Sequence, residues 1–413
     1  MEKSSCQFFL DMPDFFFMPT FLKDVVITSA VRTPVGAFNG ILSHIPAPRL
    51  GADVILEAVQ ISHLKKEDVS EVLMGCVLTA GLGQAPARQA ALFAGLPESV
   101  PCTTVGKVCG SGLQAVILGA QMIQTENAEI VVAGGMENMS LAPHLLEKAR
   151  SGYRIGHAQI VDSMIKDGLW DVYNEFHMGS CAELCAREYS LSRKEQDDYA
   201  IQSYAKAIHA QKEGLFKEEL LAMQIIDPKG KPHLVEQDEE PLKFKEDLVP
   251  HLKPAFDERG TVTAANSSKI NDGAAAVVLM PLDTAKKRGL KPLGKIIAHA
   301  SHAQAPEKFT TAPVSAIQKV LKKAGLQTKD IDLFEINEAF SAVALATILD
   351  LKLDPQKVNV HGGAVALGHP IGASGTRILT TLLYAMKHRS AKRGLASLCI
   401  GGGEALALIV EAV

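Results

Sequence analysis

The chain has 413 residues, is 47% hydrophobic and 21% charged, and carries a formal net charge of −4. That is the composition of a globular protein with a sizeable core, long enough for two or three domains or for a two-domain core with an insertion. The charge gives no reason to expect nucleic acid or an anionic membrane surface as the main partner, and no apolar run is long enough to cross a bilayer.

Residues 1–21 read as an N-terminal extension. Their apolar runs are broken by Asp11, Pro13 and Asp14, which suits neither a secretory h-region nor a transit peptide, so a cytoplasmic location is expected. Met18 is an alternative start. The seven cysteines are scattered, without paired CxxC spacing, which argues against a zinc site or a disulfide framework.

From Lys23 the chain alternates strands and helices. A strand at 23–31 is followed by an amphipathic helix, a polar turn and a strand over 50–76. The stretch "TVGKVCGSGLQAV" at 104–116 then breaks from strand into small residues, and a helix follows with Leu113, Val116, Ile117 and Ala120 on one face. Cys109 precedes that helix. The free N–H groups and positive end of a helix lower a thiol pKa, but a buried cysteine is as often a packing residue. The strand 129–135 follows.

Residues 139–265 interrupt this rhythm and read as an inserted domain. It contains the sole tryptophan, Trp170, and a helix running to Gly214, opened by the capping box of Ser192 and Glu195. Cys181 and Cys185, four apart on a helix, read as packing residues. Residues 228–254 read as loop with short strands, and 271–280 as a strand returning to the first half.

The pattern then repeats. The strand 293–301 and the unit 311–337 mirror the first half, and "GHPIGASGTRILTTLLYAMK" leads to a strand and glycine run at 395–403. The repeat predicts two similar halves, each a mostly parallel sheet with right-handed crossovers. The expected segments are 1–21, then 22–138 plus 266–288, the insertion 139–265, and 289–413. By the rule for open α/β sheets, Cys109, Asn337, His369 and Cys399 gather at one sheet edge. Asn337 could instead cap the helix after it. Two thiols and a histidine suit acyl transfer: one thiol carries the acyl group, the imidazole is its base, and the second thiol moves protons.

The motif order resembles that of thiolases: Cys-Gly-Ser-Gly, Thr-Val-Thr-Ala-Ala-Asn-x-Ser, Asn-Asp-Gly-Ala-Ala-Ala, Asn-Glu-Ala-Phe, Gly-His-Pro and Cys-x-Gly occur in register over residues 22–413. The resemblance implies an α/β thiolase fold, two duplicated βαβαβαββ halves in a five-layer α/β/α/β/α arrangement with an inserted loop domain. It implies reversible Claisen condensation of two acetyl-CoA to acetoacetyl-CoA and CoA, with Cys109 as nucleophile, His369 as its base and Cys399 as proton donor and acceptor. Asn337 and His369 would form one oxyanion hole, and the backbone N–H groups of Cys109 and Gly401 the other. His177, Met178, Ser268, Ala339 and Phe340 would line the coenzyme A channel, and Lys243 would meet the nucleotide end.

No metal or redox cofactor is implied for the chemistry. Residues 301–317 and Thr-Ala-Ala-Asn are similar to the mitochondrial-type acetoacetyl-CoA thiolases, in which Tyr204, Ala264, Ala265, Ser267 and Val365 would be oxygen donors to potassium. A homotetramer is also implied. The alternatives are a longer-chain degradative 3-ketoacyl-CoA thiolase and a ketoacyl synthase. Two departures stand out: Gly106, where many relatives have Asn, and Glu404, where many have Gly or Ala.

Overall fold

A computed structural model describes residues 22–227 and 229–413. The expected extension 1–21 lies outside them. Strand β1 (Val25–Arg32) is buried along its whole length, as a strand covered on both faces must be. Helix α1 (Ala47–Ile61) lays Leu50, Val54, Ile55, Ala58 and Val59 on the sheet. Strand β2 (Glu71–Gly75), helix α2 (Pro86–Phe93), strand β3 (Cys102–Val105), helix α3 (Ser111–Gln124) and strand β4 (Val131–Asn138) follow.

The chain then leaves the sheet for a long excursion containing α4 (Met178–Glu188) and α5 (Arg193–Lys212). Both arms of the expected capping box form: Glu195 N–H donates to Ser192 Oγ at 3.2 Å, and Ser192 N–H to Glu195 Oε2 at 2.7 Å. The chain re-enters the sheet as β5 (Asn271–Pro281). The second half comprises β6 (Gly294–Ala303), α6 (Ala312–Ala324), β7 (Leu333–Ile336), α7 (Ser341–Leu351), α8 (Ser374–Arg389), β8 (Arg393–Ile400) and β9 (Glu404–Glu411).

Among the described residues the strand order is β3-β2-β4-β5-β1 in the first half and β6-β9-β8-β7 in the second, joined where Val26 and Ile27 pair with Lys295 and Gly294. A parallel bridge from Phe334 to Val358 extends the second half as β3 extends the first. The expectation of a mostly parallel sheet is corrected in one respect. β2, β3 and β4 pair in parallel, as do β7 and β8, but the last strand of each half is inserted antiparallel beside the first. The reason is visible at β8–β9. Gly401–Gly403 make a three-residue hairpin, with Gly402 and Gly403 both at φ +89°, and a hairpin can join only antiparallel strands. In the first half the excursion stands where the second half has this hairpin.

The layers run from α1 and α2, through the first sheet, to α3 and α8, then the second sheet and α6. Leu113, Val116, Ile117 and Ala120 of α3 share one core with Ile378, Leu379, Leu382 and Leu383 of α8. Each such side chain contributes roughly 1.5–3 kcal/mol when fully buried, less for alanine. Because α3 and α8 are the shared middle layer, the turns that enter them meet. Cys109 lies on one and His369 on the other.

The excursion is anchored by Arg32 at the end of β1. Its Nε lies 2.5 Å from Glu219, and Nη1 and Nη2 grip Asp238 at 2.7 and 2.9 Å, with all three side chains buried. Burial lowers the guanidinium pKa, but the two carboxylates outweigh it and hold the group charged.

Candidate active site

Cys109 sits on a strained turn. Val108, just before it, has φ +43°, a region that a β-branched residue rarely enters and that costs about 1–3 kcal/mol. Ser111 holds the turn closed: its hydroxyl accepts from Lys107 N–H at 2.8 Å and donates to Val108 O at 2.7 Å. The nearby backbone N–H groups of Gly401 and of Cys109 itself favour the thiolate. Burial is nevertheless the larger effect and pushes the thiol up to about 11. The helix end therefore does not activate the thiol by itself. At rest Cys109 is a neutral thiol and needs a base.

His369 can be that base. Its Nδ1 lies 2.6 Å from Ser374 Oγ and 3.4 Å from Asn337 Nδ2. The Ser374 hydroxyl donates to Pro370 O at 2.8 Å, so it accepts from Nδ1–H, which leaves Nε2 with the basic lone pair. Nε2 is buried and has no partner among the described residues. Burial, helped by the charge of Arg377, pulls the imidazole down to about 3 and keeps it neutral. The backbone is held too. His369 N–H donates to Asn271 Oδ1 at 2.9 Å, and Gly368 adopts φ +106°, where a Cβ would come within 2.5 Å of the Asn271 carboxamide.

Asn337 directly follows β7 and does not cap α7, whose N-cap position is Phe340. Its Oδ1 is buried and has no partner among the described residues. Cys399 is the penultimate residue of β8, just before the hairpin, and is almost fully buried beside Met178, Ala339 and Phe340. Burial and the neighbouring Cys109 raise its pKa well above the usual thiol range. Glu404, at the far end of the hairpin, forms an ion pair with Lys107, so the turns carrying the two cysteines are tied together. Gly106 has open space around it: none of the described residues lies within 4 Å of a Cβ built there.

A cavity of about 280 Å³ opens onto these groups. Cys109, His369, Gly401, His177, Met178, Ser268, Ala339 and Phe340 line it, while Cys399 and Asn337 lie behind its wall. His177 stacks on Phe256 with ring centroids 4.8 Å apart and caps α4 by accepting Gly179 N–H at Nδ1. Ser268 N–H donates to Ala339 O at 2.9 Å, and Ser341 N–H to Asn266 O at 2.8 Å, so the Asn-Glu-Ala-Phe motif positions the serine loop.

Lys243 is not at this cavity. It pairs with Glu239 at 2.7 Å and lines a separate groove with Tyr204, Ala264 and Ala265. Of the five expected potassium donors, three carbonyls converge, and they do so on Lys269: Nζ donates to Ala264 O at 2.6 Å and Ser267 O at 2.9 Å, and lies 3.4 Å from Val365 O. A potassium ion does not fit beside an ammonium that already uses those carbonyls.

Sequence reasoning missed Ser374, Asn271 and Lys269. It also missed Glu338, a buried carboxylate that accepts from Tyr199, Ser203, Asn359 and Val365 N–H. Ser374 carried one usable signal: it sits within the glycine-rich turn that bears His369.

A thiolase N-terminal domain model matches residues 25–283 and a thiolase C-terminal domain model residues 290–412. Acetyl-CoA acetyltransferase of Cupriavidus necator is 56% identical over 391 residues, 94% of this chain and 100% of that protein. The mitochondrial acetyl-CoA acetyltransferase of Bos taurus is 49% identical, over 94% of this chain and 92% of that one. The crystal structure of Acat5 thiolase from Ascaris suum, in complex with coenzyme A, superimposes with a TM-score of 0.90 at 44% identity, covering 95% of this chain and all of that one. With both domain models matched along nearly its whole length, the chain belongs to the thiolase family.

Proposed function

We propose that the chain is an acetyl-CoA C-acetyltransferase, catalysing thiolysis of acetoacetyl-CoA to two acetyl-CoA and, in reverse, their condensation. The observation that carries this reading is the meeting of Cys109, His369 and the Gly401 N–H at one cavity wall, with Cys399 directly behind.

In thiolysis, His369 Nε2 takes the Cys109 proton as Sγ attacks the 3-keto carbon. The oxyanion is met by preorganised donors, which are worth most in a dry site. The C2–C3 bond then breaks, and the acetyl-CoA enolate takes a proton from Cys399, leaving a thiolate there. The raised pKa of Cys399 suits a group that begins as the thiol. CoA next gives its proton to Cys399 and attacks the acetyl-Cys109 carbonyl. Cys109 leaves and recovers its proton from the imidazolium. Condensation is the same sequence reversed, and the thioester itself supplies both the acidic α-carbon and the leaving group.

The pantetheine arm runs past His177, Met178 and Ser268 in this reading, supported by their place on the cavity and by the coenzyme A complex of the Ascaris relative. A cavity of about 280 Å³ bounded by Met139, Leu169, Phe309 and Ile371 suits a short acyl group. A homotetramer belongs to the same reading. Exposed Leu141, Leu146, Tyr153, Ile155 and Ile160 on the excursion support burial against further copies, which light scattering tests. Thiolysis of C4, C6 and C16 3-ketoacyl-CoAs tests the substrate. Activity confined to the shortest supports the proposal, and efficient C16 cleavage overturns the short-chain assignment.

A further inference from the structure

Lys269 follows the serine loop at the end of the excursion. Its hydrogen bonds go to backbone carbonyls of two segments far apart in sequence. Ala264 O and Ser267 O belong to the loop that presents Ser268 to the cavity. Val365 O belongs to the short helix Ala364–Leu367, which runs directly into the Gly368–His369 turn. The ammonium also lies 5.6 Å from the centroid of the Tyr204 ring, which is itself stacked on Phe244. Burial pulls the ammonium down to about 8, and the charges of Glu240 and Glu338 oppose that, so the group is a cation at neutral pH. Glu338 in turn accepts the N–H of Val365, so the same residue is held on both its backbone groups.

Carbonyl oxygens converging on one point, with an aromatic face beside them, form a site for a monovalent cation. Here the cation is a side chain. We propose that Lys269 is a tethered cation that fills this site, positions the loop 264–268 against the segment leading to His369, and makes the enzyme independent of potassium. Lys269 is thus a positioning residue: it acts through the two segments that it joins. A lysine delivers one point charge with several donors, which suits carbonyls arriving from different directions.

The test compares wild type, Lys269→Thr and Lys269→Met in chloride salts of potassium, sodium and choline at equal ionic strength, by thiolysis rate and by melting temperature. Wild type is expected to be indifferent to the cation in both. Lys269→Thr removes the charge and opens its space, so kcat/KM should fall about tenfold in choline, the equivalent of one charge-assisted hydrogen bond, and potassium should restore most of it. Its melting temperature should rise with potassium. Lys269→Met fills the space without a charge, so it should be impaired and potassium should not rescue it.

A purely space-filling role predicts a wild-type-like Met variant, and that result overturns the proposal. So does potassium activation of the wild type, or a Thr variant indifferent to potassium in both readouts. If Lys269→Thr does not fold, the wild-type and Met arms still decide. The activity arm rests on the thiolase reading, whereas the melting arm does not, so failure of one is distinguishable from failure of the other.

Discussion

Ser374 Oγ holds His369 Nδ1 at 2.6 Å, while the same hydroxyl is spent as a donor on Pro370 O. That pairing fixes the proton on Nδ1 and leaves Nε2 as the base. It also shows why the first turn of α8 carries serine: the middle-layer helix both fills the core and orients the imidazole. Ser374→Ala should lower kcat by about 10–100-fold through loss of tautomer and ring control, with KM little changed. Steady-state kinetics separate the two. A rise in KM at constant kcat would place the serine in binding instead.

The protonation states of the pair predict a pH response. With the thiol pushed up to about 11 and the imidazole down to about 3, both are neutral across the working range. Alkylation of Cys109 by iodoacetamide should therefore keep accelerating from about pH 7 to about pH 9, because the reactive thiolate fraction keeps growing. A plateau beginning near pH 7 would mean a preformed thiolate–imidazolium pair and would contradict this assignment.

Much of this was readable before any coordinates, and the failures have physical causes. The helix α5 was marked by its own cap, a local signal. The turn at Cys109 was marked by small residues, although the left-handed Val108 was not, since valine gives no sign of that conformation. In helix α8 the apolar spacing of Ile378, Leu379, Leu382, Leu383 and Met386 marks one face, but the helix is buried all round from Ser374 through Met386, and nothing in the pattern shows that Thr376, Arg377, Thr380 and Thr381 are buried too. The antiparallel last strands depend on which neighbour a strand joins, and alternation alone does not specify that. Lys269 reads as an ordinary surface charge because one of its partners, Val365, is 96 residues away.

The ion pair of Lys107 and Glu404 spans 297 residues and explains one of the two departures from the family pattern. Both side chains are part-exposed, so the pair should contribute no more than about 1 kcal/mol. Glu404→Ala should change activity less than about threefold and lose its small stability effect at high salt. Gly106→Asn should be tolerated, given the free space at that position. A large rate gain in either variant would show that these positions tune the chemistry.

Arg32 should be the most stability-sensitive polar residue described here. Arg32→Met leaves Glu219 and Asp238 buried without their cation and should cost about 3–5 kcal/mol. Denaturant unfolding measures this. A loss below about 1 kcal/mol would mean that the carboxylates protonate or find water, and that the excursion is held mainly by apolar contacts.

The central claim is that Cys109 carries the acyl group. The direct measurement is acid quench of the enzyme during turnover of acetoacetyl-CoA, followed by peptide mass analysis, with Cys109→Ala assayed in parallel. The account predicts an acetyl group on the Cys109 peptide of the wild type and no measurable thiolysis by the variant. Full thiolysis by Cys109→Ala, or an acetyl group found on Cys399 alone, would contradict it.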